Sequence, residues 1–211
     1  MININNIMPP QLLLATTNTG KLRELRSLLA GLPFQLVTPE EVSPGARVEE
    51  TGCTYLENAL LKAHAYHAAT GLPVLADDTG LEVDALGGAP GIHSARFSPE
   101  PGATDADRRS LLLAQLAGKP RPWLARFHCV VAVVMPGCKP QVFSGSVDGE
   151  IIEEERGEHG FGYDRLFWIP AAGKTMAELE LDEKNRFSHR AIAVRNAIPY
   201  LASLTKTNPQ G

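Results

Sequence analysis

An uninterrupted apolar run, CVVAVVM from Cys129 to Met135, limits the folds that are open to this chain. A strand with one face in water alternates apolar and polar residues, whereas this run offers water no polar side chain. A long strand is therefore predicted from Arg126 to Met135, and its stretch from Cys129 to Met135 is expected to be buried on both faces.

Patterns of strands and helices alternate along the rest of the chain. Short apolar runs predict further strands at residues 12–15, 34–38, 73–76 and 81–83. Helical spacing of apolar residues after capping residues predicts helices at about 19–30 and 55–70, and others that begin near 104 and 188. Pro136 and Gly137 form a turn, and residues 141–147 return as the hairpin partner of the long strand. These patterns predict an α/β fold with a mixed sheet flanked by helices.

Two local predictions concern the ends of elements. The segment 39–50 is rich in Pro, Gly and Glu, which predicts a polar loop. Pro199 is expected to stop or kink the last helix near Ile198, because proline lacks an N–H donor and clashes with the preceding turn.

Length and composition fit one globular domain. The 211 residues show no composition break, so we predict a single domain at 11–204, an N-terminal extension at 1–10 and a C-terminal tail at 205–211. The net charge of −4 gives no basic field for long nucleic acid, although a small anion needs only a local basic pocket. No apolar run approaches the roughly 20 residues that span a bilayer. Three cysteines without a C-x-x-C pair, and a start without signal-peptide character, predict a cytoplasmic protein without a membrane partner.

Two adjacent carboxylates, Asp77 and Asp78, follow an apolar segment and precede Thr79 and Gly80. Mg²⁺ prefers one or two carboxylates together with phosphate oxygens, so this pair is a candidate metal site. Neighbouring strand residues point to opposite faces, so only one aspartate should face a given site unless the strand has already ended. The alternative is an ordinary turn after a strand, where Asp and Gly are common.

Two helix starts carry basic side chains. In TTNTGKLREL (16–25), a helix N-terminus and Lys21 together form a candidate phosphate site, and the alternative is a cap beside a surface lysine. In EETGCTYLENALLKA (49–63), Asn58 and Lys62 share one helix face, and the alternative there is a solvated polar face.

Two later segments have the character of a ligand site. In GFGYDRLF (160–167), glycines beside aromatic residues allow close approach to a base, although a hairpin turn with core aromatics is the alternative. In DEKNRFSHR (182–190), Lys184, His189 and Arg190 are expected to cluster at the N-terminal end of the final helix. Cations are unfavourable there, which indicates a bound anion or another acceptor.

These motifs, in this order, resemble the inosine triphosphate pyrophosphatases, also called XTP/dITP diphosphatases. The resemblance runs from about Leu12 to Leu201. It implies an elongated mixed sheet with two lobes and a central cleft, and a homodimer. It also implies Mg²⁺-dependent hydrolysis of ITP, dITP and XTP between the α and β phosphates, which yields the monophosphate and pyrophosphate and removes these nucleotides from the pool.

The resemblance also implies roles for individual residues. Glu50 and Asp78 would bind Mg²⁺, and Asp78 would be the proton acceptor. The residues that would contact the nucleotide are Thr16, Thr17, Asn18, Thr19, Gly20, Lys21, Lys62, Thr79, Phe161, Gly162, Tyr163, Asp164, Lys184, His189 and Arg190.

Two positions depart from the family pattern. Arg165 follows FGYD where the family often has proline, which could alter the wall or the charge of the pocket, and His93 stands where an aromatic residue is frequent. Two other functions are compatible with a fold of this kind. A pyrophosphatase for pyrimidine nucleotides is disfavoured by the segment from Lys184 to Arg190, and a regulator without catalysis is disfavoured by the intact set of acidic and basic positions.

The predicted base preference follows from hydrogen-bond donors. A 6-oxo purine presents O6 and N7 as acceptors, whereas adenine presents an amino donor at position 6. Arg190 has only donors, and His189 can donate, so the pocket is expected to favour hypoxanthine and xanthine over adenine.

Overall fold

The computed structural model describes residues 9–206. The predicted extension at 1–10 and tail at 205–211 therefore lie largely outside the described residues. One mixed sheet has the strand order β2-β1-β3-β5-β6-β7-β8, with β4 paired to β3. The strands are β1 (Gln11–Leu14), β2 (Gln35–Val37), β3 (Val74–Val83), β4 (Pro90–Gly91), β5 (Trp123–Val134), β6 (Gln141–Ile151), β7 (Phe167–Ile169) and β8 (Lys174–Thr175).

Strand directions divide the sheet into two parts. β1 is parallel to β2 and β3, whereas every pairing from β3 to β8 is antiparallel. β5 and β6 form the predicted hairpin, and the mixed sheet is confirmed. The second half of β5 is buried on both faces, as the run from Cys129 predicted, while its first half alternates.

Helices cover the parallel part of the sheet on both sides. α1 (Thr19–Leu29) and α6 (His189–Lys206) pack on one face, and α3 (Tyr55–Thr70) packs on the other. The remaining helices are α2 (Pro39–Val42), α4 (Asp105–Leu116) and α5 (Leu181–Phe187). No helix within residues 9–206 is both long enough and apolar enough to cross a membrane.

A glycine sets how closely α6 approaches the sheet. A Cβ at Gly145 of β6 would lie 2.4 Å from the carbonyl oxygen of His189 and 2.5 Å from the amide nitrogen of Ala193. No larger residue fits there unless the α6 backbone moves. The first turn of α6 is therefore held directly against β6.

The long strands join two apolar lobes on the same face of the sheet. One lobe contains Leu75 of β3 and packs under α1 and α6, whereas the other contains Leu81 and Val83. Between them, the same face of β3 carries Asp77 and Thr79, because alternate strand residues share a face. The polar residues of β3 thus lie at the boundary between the lobes.

Three predictions about elements were wrong. The aspartates do not end a strand, because β3 continues through them and pairs with β5 from residue 74 to residue 83. Pro199 does not stop α6, which continues to Lys206 with Pro199 on its exposed side and with Ala197 and Leu201 fully buried, while a kink at Pro199 stays a prediction. The segment 39–50 is not all loop, since Pro39 begins the short helix α2 and Glu41 completes its capping box.

Candidate active site

A cleft of about 430 Å³ lies at the polar middle of β3, and residues from both faces of that strand line it. It gathers residues from distant parts of the chain, and fifteen of the predicted site residues line it: Thr16, Thr17, Asn18, Lys21, Glu50, Lys62, Asp78, Thr79, Phe161, Gly162, Tyr163, Asp164, Lys184, His189 and Arg190. Thr19 and Gly20 line a neighbouring cavity of about 570 Å³ that shares Phe161 with the cleft. The structure therefore brings all of the predicted residues to one region.

The N-terminus of α1 opens at this region. Asn18 is the N-cap, and its side-chain oxygen accepts a hydrogen bond of 2.9 Å from the amide of Lys21. The first N–H groups of a helix lack partners in the preceding turn, and the helix dipole adds positive charge there. The ammonium of Lys21 lies 3.1 Å from Asp77 Oδ2. This corner of the cleft is thus suited to an anion.

On the α3 side, Lys62 joins two carboxylates. Its ammonium lies 2.5 Å from Glu50 Oε1 and 3.8 Å from Asp78 Oδ1, and it donates to the backbone oxygen of Asp77 at 2.6 Å. Asn58 donates to Asp78 Oδ2 at 3.1 Å. Because Asn58 and Lys62 are both buried, the alternative of a solvated polar face is wrong.

Burial and charge act in opposite ways on Asp78 and Lys62. Burial raises the pKa of Asp78, and this effect outweighs the attraction of the Lys62 ammonium. Burial alone would lower the pKa of Lys62, but the carboxylates of Asp77, Glu50 and Asp78 hold it above its usual value. The cluster therefore combines a lysine kept charged with a carboxylate that has a strengthened tendency to take a proton.

The chemistry of Glu50 and Asp78 fits Mg²⁺. Both offer hard oxygen ligands, and both lie within reach of one ammonium. Within residues 9–206, no three Asp, Glu, His or Cys side chains are grouped closely enough to hold a metal ion. A two-carboxylate site therefore suits a metal whose other ligands are waters and substrate oxygens.

The opposite face of β3 carries a buried network of alternating charges. Arg190 donates through Nε to Asp77 Oδ2 at 3.1 Å and through Nη1 to Glu24 Oε2. The ammonium of Lys184 bridges Glu24 Oε1 at 2.6 Å and Asp164 Oδ2 at 2.5 Å. All five side chains are at most 4% exposed. The two aspartates thus point to opposite faces, as strand alternation predicted.

The acceptors of the basic cluster are therefore carboxylates of the protein itself. Lys184 lies on α5 and meets Arg190, in the first turn of α6, through Glu24, so these two cations cluster at the start of the final helix as predicted. Arg190 also donates to Thr79 Oγ1 at 3.3 Å. Burial would raise the pKa of Asp77 and Glu24, but the neighbouring cations hold both below their usual values. The donors of Arg190 are thus largely committed within the protein.

Glu24 is the member of this network that the sequence analysis missed. It lies on α1 one turn after Lys21 and next to the buried Leu25. A glutamate in that position has the same appearance as one on a solvated helix face, so only the tertiary structure reveals it. Sequence analysis also missed Arg47, Tyr66, Asp105 and Arg108, which line the cleft.

The ring of Phe161 closes one side of the cleft. It packs on α1, where a Cβ at Gly20 would lie 2.3 Å from its Cδ1 atom. The charged groups of Lys184 and Arg190 lie 5.0 Å and 5.6 Å from the ring centroid. The backbone amide of Phe161 donates to Asp164 Oδ2 at 3.0 Å. An aromatic face held between the two lobes is suited to a flat ligand.

His189 lines the cleft, and both polar atoms of its ring are buried without a partner within residues 9–206. Its ring is 3% exposed and stacks on Phe127 with centroids 4.7 Å apart. Neither ring nitrogen has a hydrogen-bond partner among the described residues. Burial, with the nearby cations, holds its pKa well below 6.5, so the imidazole is neutral and offers one donor and one acceptor.

Neither departure from the family pattern removes a residue from the cleft. Arg165 points to Glu155, with 3.5 Å between Nη1 and Oε2. His93 accepts from Arg96 at 3.3 Å on the surface. Tyr163, two residues before Arg165, is buried and donates to the carbonyl of Ser94 at 3.0 Å.

Comparison with known proteins identifies the family of this chain. The model of the Ham1 family matches residues 12–200. The dITP/XTP pyrophosphatase of Symbiobacterium thermophilum is 48% identical over 195 residues, 92% of this chain and 96% of that protein. A dITP/XTP pyrophosphatase of Thermus thermophilus is 50% identical over 188 residues, 88% of each chain.

Solved structures show the same fold. The Ham1 protein of Staphylococcus aureus superposes with a TM-score of 0.82 at 37% identity, covering 92% of this chain and 99% of its own. A HAM1 protein from Coxiella burnetii gives 0.82 at 40% identity, covering 94% and 100%. The motifs, the architecture and these matches agree, and the chain belongs to the Ham1 family.

Proposed function

We propose that this protein hydrolyses deaminated purine nucleoside triphosphates (ITP, dITP and XTP) to the monophosphate and pyrophosphate, and that it requires Mg²⁺. The observation that carries the proposal is the cluster of the half-buried Glu50 with the buried Lys62 and Asp78, in a cleft that His189, with ring nitrogens unpartnered among the described residues, also lines. The names of the relatives supply the substrate class.

The phosphate end of the site would be built on α1 and α3. The N-terminus of α1, Lys21 and Lys62 offset the charge of the triphosphate and of the leaving pyrophosphate. Glu50 and Asp78 would hold the metal, which polarises phosphate oxygens when bound. Asp78, whose pKa is raised by burial, accepts the proton of the attacking water.

The base end would be built on Phe161 and His189. The ring of Phe161 stacks on the purine, and the neutral imidazole of His189 supplies a donor to O6 or N7. A base that leaves buried polar atoms unpaired is rejected strongly. Since Nε, Nη1 and Nη2 of Arg190 each donate to a group of the protein, Arg190 contributes chiefly by positive charge and by positioning Asp77 and Thr79.

Steady-state kinetics test this proposal. We expect pyrophosphate release in the order ITP and XTP above GTP, and GTP at or above ATP, and we expect loss of activity when Mg²⁺ is chelated. Equal kcat/KM for ITP and ATP would reject the purine selectivity. Full activity in the presence of a chelator would reject the requirement for Mg²⁺. Preference for a pyrimidine nucleotide, or binding of ITP without turnover, would favour one of the two alternative functions.

Lys21 tests the phosphate end. Lys21→Ala is expected to lower kcat/KM for ITP and GTP by the same factor, because phosphate is common to both substrates. A change in the ratio of the two values would place Lys21 near the base instead. Arg26→Ala is a matched control, since Arg26 lies on the exposed side of the same helix.

His189 tests the base end. His189→Phe keeps a ring that can stack on Phe127 but removes both nitrogens, so we expect kcat/KM for ITP to fall about 10–100-fold while ATP changes little. His189→Gln, which restores a donor and an acceptor, should recover part of the loss. An unchanged ratio of ITP to ATP in His189→Phe would remove His189 from base recognition.

Two further properties belong to the same proposal. A homodimer in the cytoplasm, where it clears non-standard nucleotides from the pool, is the expected setting of this activity. Sedimentation velocity checks whether the protein is a homodimer. The ITP content of cells that lack the protein checks whether it clears non-standard nucleotides.

A further inference from the structure

We propose that Asp105 and Arg109 of α4 are positioning residues that fix the loop 161–164 and thereby determine how tightly the purine is held. The proposal rests on the proposed function, because that loop forms the base end of the cleft. It adds a helix that the sequence analysis did not connect with the site.

Asp105 and Arg109 hold both sides of one glycine. The amide of Gly162 donates to Asp105 Oδ2 at 2.7 Å, and its carbonyl accepts from Arg109 Nη1 at 2.8 Å. The two side chains lie one turn apart on α4, so they reach the loop from the same helix face. Gly162 has a φ of 61°, a conformation that favours glycine. We call this pair of contacts the α4 clamp.

The clamp is itself held rigidly. Arg109 is 8% exposed, and its Nε and Nη2 donate to the two carboxylate oxygens of Glu155 at 2.8 Å and 3.0 Å. A bidentate pair fixes the plane of the guanidinium, which leaves Nη1 directed at the loop. Arg165, the departure from the family pattern, adds a second cation to Glu155.

The clamp acts on Phe161 through the backbone. The peptide that joins Phe161 to Gly162 carries the N–H bound by Asp105, and the amide on the other side of Phe161 is bound by Asp164. The ring of Phe161 is thus anchored from both sides, and Asp105 also lines the cleft itself. Glu50, Lys62 and Asp78 lie on other elements and have no contact with the clamp among the described hydrogen bonds and ion pairs.

This separation predicts a specific kinetic signature. A base held equally in the ground state and the transition state contributes to KM and not to kcat. Loss of the clamp should therefore raise KM for ITP and leave kcat and the inhibition constant of pyrophosphate, which has no base, close to their original values.

The experiment compares four variants with the parent. Asp105→Ala and Arg109→Leu each remove one half of the clamp, Asp105→Asn keeps an acceptor for the amide, and Arg126→Ala removes an exposed arginine that pairs with Asp148 outside the cleft. Amide hydrogen exchange of residues 160–167 is measured without ligand. KM and kcat for ITP, and inhibition by pyrophosphate, are measured with Mg²⁺.

We expect faster exchange at Gly162 and a rise of about tenfold in KM for ITP in Asp105→Ala and Arg109→Leu, as for loss of one hydrogen bond to a charged group. Asp105→Asn and Arg126→Ala should behave like the parent. Unchanged exchange at Gly162 in Asp105→Ala, equal weakening of ITP and pyrophosphate, or an Asp105→Asn variant as impaired as Asp105→Ala would each overturn the proposal. If the parent does not turn over ITP, the proposed function is rejected. Amide hydrogen exchange at Gly162 in the variants still shows whether Asp105 and Arg109 fix the loop.

Discussion

Asp78→Asn is expected to lower turnover of ITP about 10²–10⁴-fold, the usual range for loss of a general base, while the protein remains folded. The two side chains are nearly isosteric, but the amide cannot accept the proton of the attacking water. Because burial already disfavours the charge of Asp78, its neutral replacement should not reduce the free energy of unfolding. Activity at saturating Mg²⁺ and thermal unfolding of the same preparation give both results.

The neighbouring aspartate supplies a matched control. Asp77 faces the other side of β3 and is held charged by Lys21 and Arg190, so Asp77→Asn should reduce stability because it leaves buried cations short of a partner. If Asp78→Asn retains turnover near that of the parent, Asp78 is not the proton acceptor. If the two variants lose stability equally, the assignment of the two faces is wrong.

Glu24→Gln is expected to lower the free energy of unfolding by about 3–5 kcal/mol, the range for breaking a buried ion pair. Glu24 bridges Arg190 and Lys184, and both cations are buried, so its loss leaves two charges with only one carboxylate each. Denaturant unfolding at pH 7 measures the effect. Glu153→Gln, which removes an exposed partner of Arg121, should leave stability close to that of the parent.

The same carboxylate predicts a pH dependence. The folded-state pKa of Glu24 is lower than its ordinary value of 4.5, so its contribution to stability is complete above pH 4.5 and is lost as the pH falls further. Glu24→Gln should therefore lose less stability than the parent between pH 4.5 and the acid transition. If the free energy of unfolding of Glu24→Gln and of the parent changed with pH in the same way, Glu24 would not be held charged by Arg190 and Lys184.

The sequence predicted correctly those features that follow from the regular spacing of apolar and polar residues along a strand. The run from Cys129 to Met135 predicted a strand buried on both faces, because apolar alternation is absent only where both faces are covered. Strand alternation also predicted that Asp77 and Asp78 would separate, although the strand was expected to end there. The aspartates remain inside β3 because Lys21, Arg190, Asn58 and Lys62 compensate them, and these partners come from three different helices.

Residues that act through tertiary partners were the ones that the sequence could not reveal. Glu24 and Arg109 have the local pattern of exposed helix residues, yet both are buried because a partner more than 40 positions away accepts or donates. Pro199 shows the converse case. A local rule predicted a helix stop, but packing of Ala197 and Leu201 keeps α6 continuous to Lys206.

We expect this cleft to cleave a purine nucleoside triphosphate between the α and β phosphates. Phosphorus NMR of ITP with the purified protein and Mg²⁺ tests it most directly, with Asp78→Asn as the blank. We predict that the triphosphate signals are replaced by one resonance of pyrophosphate and one of IMP in equal molar amounts. Accumulation of IDP and inorganic phosphate, with no pyrophosphate at any time, would contradict it.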